Sequence, residues 1–139
     1  MTAAQKQIKK LEKQIEQIKI KAAYAKNKKN AYALYKWLIQ NPCMQKFDDK
    51  VNLTCTLNMI MYVTDVRISE TKSGFKLTYK EQSIYYWSYK NGSRNVSYTV
   101  EDREQIYDSK QGLPFTPPTD MKPYSVEVFE ILHNRIVNL

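Results

Sequence analysis

One histidine, three glycines and two cysteines are a thin supply of the residues from which active sites are made. His133 is the only imidazole available for proton transfer. It lies on the apolar stripe of the last segment, where a packing role is expected of it. Three glycines cannot furnish a phosphate-cradling loop of the P-loop or dinucleotide type. Cys43 and Cys55 fit no zinc-ligand spacing and do not make a disulfide framework, so they read as free thiols. Neither has a base nearby in sequence to activate it as a nucleophile. Asp48-Asp49 has no third oxygen ligand at a useful spacing and reads as a loop or a helix cap. These shortages exclude most catalytic and metal-dependent classes, and the chain is read as a non-enzyme with no cofactor and no metal.

Long hydrophobic runs are also missing. No stretch approaches the roughly eighteen apolar residues of a transmembrane helix, and the polar, lysine-rich start lacks the apolar region of a signal peptide. The expectation is a soluble, cytoplasmic protein with no membrane partner. On that expectation the sequons at Asn52, Asn91 and Asn95 carry no meaning.

Acidic residues are scarce at one end, where Glu12 and Glu16 are the only acids before Asp48. Residues 1–40 hold ten lysines and two glutamates, whereas residues 41–139 hold twelve basic and twelve acidic residues. The whole formal charge of +8 therefore sits on the N-terminal segment. A basic segment joined to a neutral body points to an anionic partner: nucleic acid, nucleotide or an acidic protein surface. The alternative is the solvated exterior of a coiled coil. Arginine is scarce too, and the excess of Lys, Asn, Ile and Tyr is the residue usage of AT-rich codons, which hints at a microbial or viral source.

What is abundant is periodicity. Ile8, Leu11, Ile15, Ile18, Ala22 and Ala25 fall at successive a and d positions of a heptad, the seam of a left-handed coiled coil. A homo-oligomer formed through Ile8, Leu11, Ile15 and Ile18 is expected. Lys29 takes the next a position, and with Asn27, Lys28 and Asn30 it predicts a kink or break between Ala25 and Ala31. Helix resumes over 31–40 and ends at Asn41-Pro42. This divides the chain into a basic oligomerisation helix, 1–40, and a body, 41–139.

In the body the period changes to two. Strands are predicted over 51–57, 59–68, 75–80, 83–90 and 93–100, with a turn at Ser73-Gly74. Asn91-Gly92 predicts a two-residue type I′ hairpin, which sets Tyr89 opposite Arg94, Trp87 opposite Val96 and Tyr85 opposite Tyr98. Tyr85, Trp87, Tyr89, Val96 and Tyr98 would then share one side. Tyr86 would stand with Ser88, Asn95, Ser97 and Thr99 on the polar side. Residues 101–110 read as a short helix and 112–118 as a loop. Residues 124–136 read as a helix opened by Pro123, although the alternation over 124–128 also fits a sixth strand.

The fold class that follows is α+β: a long basic helix, an antiparallel sheet of about five strands and a C-terminal helix. Alternating aromatics on strands commonly form core, but rings beside cations also stack bases and hold their phosphates. The candidate ligand-binding residues are Lys9, Lys13 and Lys19 on the helix, and Tyr86, Trp87, Tyr89 and Arg94 on the hairpin. The expected function is a non-enzymatic, oligomeric binding protein for an anionic ligand, nucleic acid or nucleotide. The alternative is a protein-binding inhibitor or adaptor, encoded by a virus or mobile element and acting on a host machine in the host cytoplasm.

Overall fold

A computed structural model describes residues 1–52, 55–108 and 114–138, with the backbone alone for 48–52. Its element order is α1 (Ala3–Gln40), β1 (Cys43–Asn52), β2 (Cys55–Glu70), β3 (Phe75–Tyr89), β4 (Arg94–Tyr107), β5 (Met121–Pro123) and α2 (Val126–Val137). The α+β reading holds: one five-stranded antiparallel sheet, ordered β4-β3-β2-β1-β5, lies between a long N-terminal helix and a short C-terminal one.

Helix α1 starts with a reciprocal cap. Thr2 Oγ1 accepts from the Gln5 amide at 3.2 Å, and Gln5 Oε1 accepts from the Thr2 amide at 2.9 Å, so two donors with no helical partner are satisfied. It ends at Asn41, whose backbone and side-chain nitrogens both donate to the Trp37 carbonyl before Pro42 stops the helix. The break expected between Ala25 and Ala31 does not occur, because α1 is continuous over 38 residues. The weak helix formers there are held by packing: Asn27 and Asn30 are buried against the sheet while Lys28 and Lys29 face outward.

Five strands are present, but they are not the five expected. Residues 43–52, including Asp48 and Asp49, are strand rather than loop or cap. The strand expected over 51–57 is divided between the end of β1 and the start of β2, and its Leu53 and Thr54 lie outside the described residues. The segments expected as separate strands over 75–80 and 83–90 are one strand, β3. Where a helix is expected over 101–110, residues 101–107 are instead the far half of β4, whose charged residues Glu101 to Glu104 lie along an edge strand, and 109–110 lie outside the described residues. The last segment is a helix over Val126–Val137 and not a sixth strand. Pro123 closes β5 and does not open α2, which is capped by Ser125 accepting from the Val128 amide at 3.3 Å.

Each face of the sheet carries its own core. On one face, Ala31, Leu34 and Leu38 of α1 pack on Val63, Phe75, Leu77 and Tyr107, with Trp37 against Phe115. A register shift in β2 between Thr64 and Arg67, with Asp65 at φ 55°, turns Val66 and Ile68 to the same face as Met61 and Val63. Before the bulge β2 is apolar on both faces because each is covered: Met61 and Val63 belong to the α1 core, Ile60 and Tyr62 to the α2 core. On the other face, Phe129 of α2 packs with Cys43, Ile60 and Ile84, its ring edge-on to Tyr62 at 5.2 Å. His133 is part of this packing, 4.5 Å from the Tyr98 ring between centroids.

Candidate ligand-binding surfaces

The N-terminal half of α1 stands clear of the other described residues. Every residue from Met1 to Ala22 is exposed, and the seam residues Ile8, Leu11, Ile15 and Ile18 are between 51% and 66% exposed. At 1.5 Å per residue this is a free rod of about 30 Å. Its orientation follows from helical geometry. At 3.6 residues per turn, the seam from Ile8 to Ala25 centres roughly 150° round from the residues that α1 buries on the sheet. The seam thus faces away from the body. Lys6, Lys9, Lys10 and Lys13 cluster on the opposite side of the rod from Ile8 and Leu11, and all four are exposed. Lys19 is exposed as well, but it flanks the seam, roughly 130° round from that cluster.

The hairpin differs from its expected form by one residue. The Tyr89 amide donates to the Ser93 carbonyl at 2.9 Å, and the Gly92 amide donates back to the Tyr89 carbonyl at 3.0 Å. Lys90, Asn91 and Gly92 therefore form a three-residue loop with Gly92 at φ 85°, the type I turn plus bulge, rather than a two-residue type I′ turn. Asn91 Oδ1 also accepts from the Ser93 amide at 2.9 Å, which helps hold the turn.

One residue of slip moves every side chain of β4 to the other face. Arg94 stands opposite Ser88, Asn95 opposite Trp87, Val96 opposite Tyr86 and Tyr98 opposite Ile84. Arg94 is therefore neither across from Tyr89 nor beside Trp87; it lies exposed on the α2 side of the sheet. Val96 and Tyr98 do not share a face with Tyr85, Trp87 and Tyr89. Nor does Tyr86 share one with Asn95, Ser97 and Thr99. It packs in the α2 core, and burial, with Tyr124 nearby, raises its hydroxyl pKa against the opposing effect of Arg135. Tyr98 is beside it, its hydroxyl donating to Gln82 Oε1 at 2.8 Å.

Trp87 and Tyr89 do remain on an open surface. Tyr85 and Trp87 stack with centroids 5.8 Å apart and planes 23° apart. Met59 and Leu57 lie directly across from them on β2, and Ser97 and Asn95 directly across on β4. The row continues to Lys46 of β1, which pairs with Asp120 at 3.0 Å. Leu57, Met59, Tyr85 and Trp87 are half-buried and, among the described residues, belong to neither core. Tyr89, 38% exposed, ends the strip. Sequence reasoning missed Leu57 and Met59 as companions of the rings. The signal that finds them is the β2–β3 register, which alternation within one strand does not contain.

The expected site residues thus fall in three places: Lys9, Lys13 and Lys19 on the rod, Trp87 and Tyr89 on the open strip, and Tyr86 and Arg94 on the α2 side of the sheet. Among the described residues, no group of three or more His, Cys, Asp or Glu side chains is placed to hold a metal ion. Cys43 and Cys55 form no disulfide and both are buried, and desolvation pushes the Cys43 thiol up to about 11. None of the described helices is long and apolar enough to cross a membrane. No protein-family model matches the chain, and no curated protein or solved structure resembles it significantly.

Proposed function

We propose that this is a non-enzymatic, self-associating protein that binds an extended polyanion, nucleic acid before free nucleotide, in the cytoplasm. The observation that carries this reading is the free rod of α1, with its apolar seam on one side and Lys6, Lys9, Lys10 and Lys13 on the other. Burying the seam in a second copy removes apolar surface from water and leaves the lysines free to meet phosphates. Lysines spread along a helix suit a run of phosphates better than the compact charge of one nucleotide.

Fluorescence anisotropy with a labelled oligonucleotide tests this over a range of salt concentrations. Wild-type affinity falls steeply as salt rises, and Lys9→Gln, Lys10→Gln and Lys13→Gln together weaken binding and flatten the salt slope, since each neutralised phosphate releases counterions. No binding by the wild type at low salt overturns the nucleic-acid reading.

A second reading, a protein-binding inhibitor or adaptor, draws support from the open strip. Leu57, Met59 and the stacked pair Tyr85 and Trp87 are an apolar, aromatic surface rimmed by Ser97, Asn95 and Lys46, the composition of a protein interface centre with a polar edge. Under this reading Trp87→Ala abolishes capture of the partner while the α1 lysine variants do not.

A further inference from the structure

We infer that the occupant of the α1 seam is a second copy of the same helix running antiparallel, with Ile15 of each chain against Ile18 of the other. This rests on the self-association proposed above and adds its orientation and register. Three properties of α1 support it: the seam is exposed and faces away from the body, the helix is unbroken through the segment the partner needs, and side-chain size and charge match only in this alignment.

Size is the first match. An antiparallel pair packs a positions against d positions. With Ile15 on Ile18, Leu11 falls on Ala22 and Ile8 on Ala25, so every further layer joins one large and one small side chain. A parallel pair in register would stack Ala22 on Ala22 and Ala25 on Ala25. Those layers bury little apolar area beside the body, where the two chains need it to stay together.

Charge is the second. The positions flanking the seam are Gln5, Glu12, Lys19 and Lys26 on one side and Gln7, Gln14, Lys21 and Lys28 on the other. Antiparallel helices bring each side against itself. In the inferred alignment Glu12 meets Lys19 twice, Gln5 meets Lys26, Gln14 meets Lys21 and Gln7 meets Lys28, so no lysine faces a lysine. A parallel pair sets Lys21 against Lys26 of the partner on both sides of the dimer. Sliding the antiparallel pair by one heptad, so that Ile8 meets Ile18, sets Glu12 against its own copy. The inferred alignment alone carries no like-charge contact at these positions.

The alignment also needs the tip of one helix to lie beside residues as far along as 29 of the other. The continuity of α1 through Asn27 to Ala31 supplies that surface, because Asn27 and Asn30 face the sheet and Lys29 faces outward. The lysine cluster of each tip then lies level with Ile20 to Asn27 of the partner, which extends the cationic surface along the whole two-helix rod.

Disulfide trapping tests this with two single variants of the full chain, Leu11→Cys and Ala22→Cys, oxidised alone and as an equimolar mixture. Wild type is the control, since both native thiols are buried. The inference expects a cross-linked dimer in the mixture and loss of that band in either variant alone, because like positions lie about 16 Å apart along the rod. Dimers formed by each variant alone and not by the mixture overturn the antiparallel orientation while leaving self-association standing. No cross-link in any sample overturns the seam as the interface and self-association with it. Exchange of charge is the independent check: Glu12→Lys and Lys19→Glu each weaken dimerisation, and the double variant restores it only in the antiparallel alignment.

Discussion

The Tyr24 hydroxyl donates to the Glu70 carboxylate at the end of β2, and the Tyr24 ring lies 5.3 Å from that of Phe75 at the start of β3. This pair of contacts marks where α1 leaves the sheet. Tyr24 is the outermost α1 residue tied to the body by a hydrogen bond or ring contact among the described residues, and the helix before it stands free. In hydrogen exchange of dilute protein, amides before Tyr24 should exchange faster than those of Asn30 to Leu38, and raising the protein concentration should slow them. Tyr24→Ala should move the boundary of fast exchange toward Asn27 without altering self-association.

Gly74 and Gly92 should respond differently to alanine. A Cβ on Gly74 would fall 2.0 Å from the Tyr107 carbonyl oxygen, which is backbone and cannot step aside, so Gly74→Ala should cost about 2–3 kcal/mol. At Gly92 the space is open and the cost is the left-handed φ alone, about 1 kcal/mol. Urea unfolding of the two variants checks the ranking.

Asn27 is buried with its Nδ2 unpaired among the described residues. An unsatisfied buried donor costs about 1–3 kcal/mol, so Asn27→Leu should leave stability unchanged or raise it despite changing a buried residue. A loss of more than about 1 kcal/mol in thermal unfolding would show that Asn27 is held by a bond that its surroundings do not suggest.

Cys43 should be silent to thiol reagents at pH 8 in the folded protein. Its pKa is raised by burial to about 11 from the ordinary 9.0. The unfolded chain therefore loses this proton first, and folding is favoured fully below about pH 9. Between about pH 9 and 11 stability falls as pH rises, by about 1.4 kcal/mol per unit from this group. Cys43→Ala should remove that part of the alkaline loss, measured by urea unfolding at several pH values.

How far the sequence foretold this structure differs from element to element. The helical period before Ala25, the helix at 126–137 and the α+β class are written in periodicity, which one chain segment carries by itself, and the charge on α1 is written in composition. The continuity of α1 is not, because Asn27 and Asn30 are helical only through burial on the sheet. The strand over 101–107 is not either: its charges suit a helix locally, and pairing with Phe75 to Glu81 overrides them. The hairpin failed at a single residue. Asn-Gly serves both the two-residue and the three-residue loop, and the difference of one position sent Arg94 to the α2 side and set Asn95 and Ser97, rather than Val96 and Tyr98, across from Trp87 and Tyr85. Register is decided by which face of β4 buries Tyr98 against α2, and that information lies in another element.

Sedimentation equilibrium of the wild type beside Ile15→Glu tests the central claim most directly. The seam residues are each worth about 1.5–3 kcal/mol when buried, so the wild type should sediment at a multiple of its 16.4 kDa chain mass at micromolar concentrations. Ile15→Glu, with a charge in the middle of the seam, should shift toward a single chain while its sheet stays folded. A wild type that remains at 16.4 kDa up to high micromolar concentration, with α1 still helical by circular dichroism, would contradict the account.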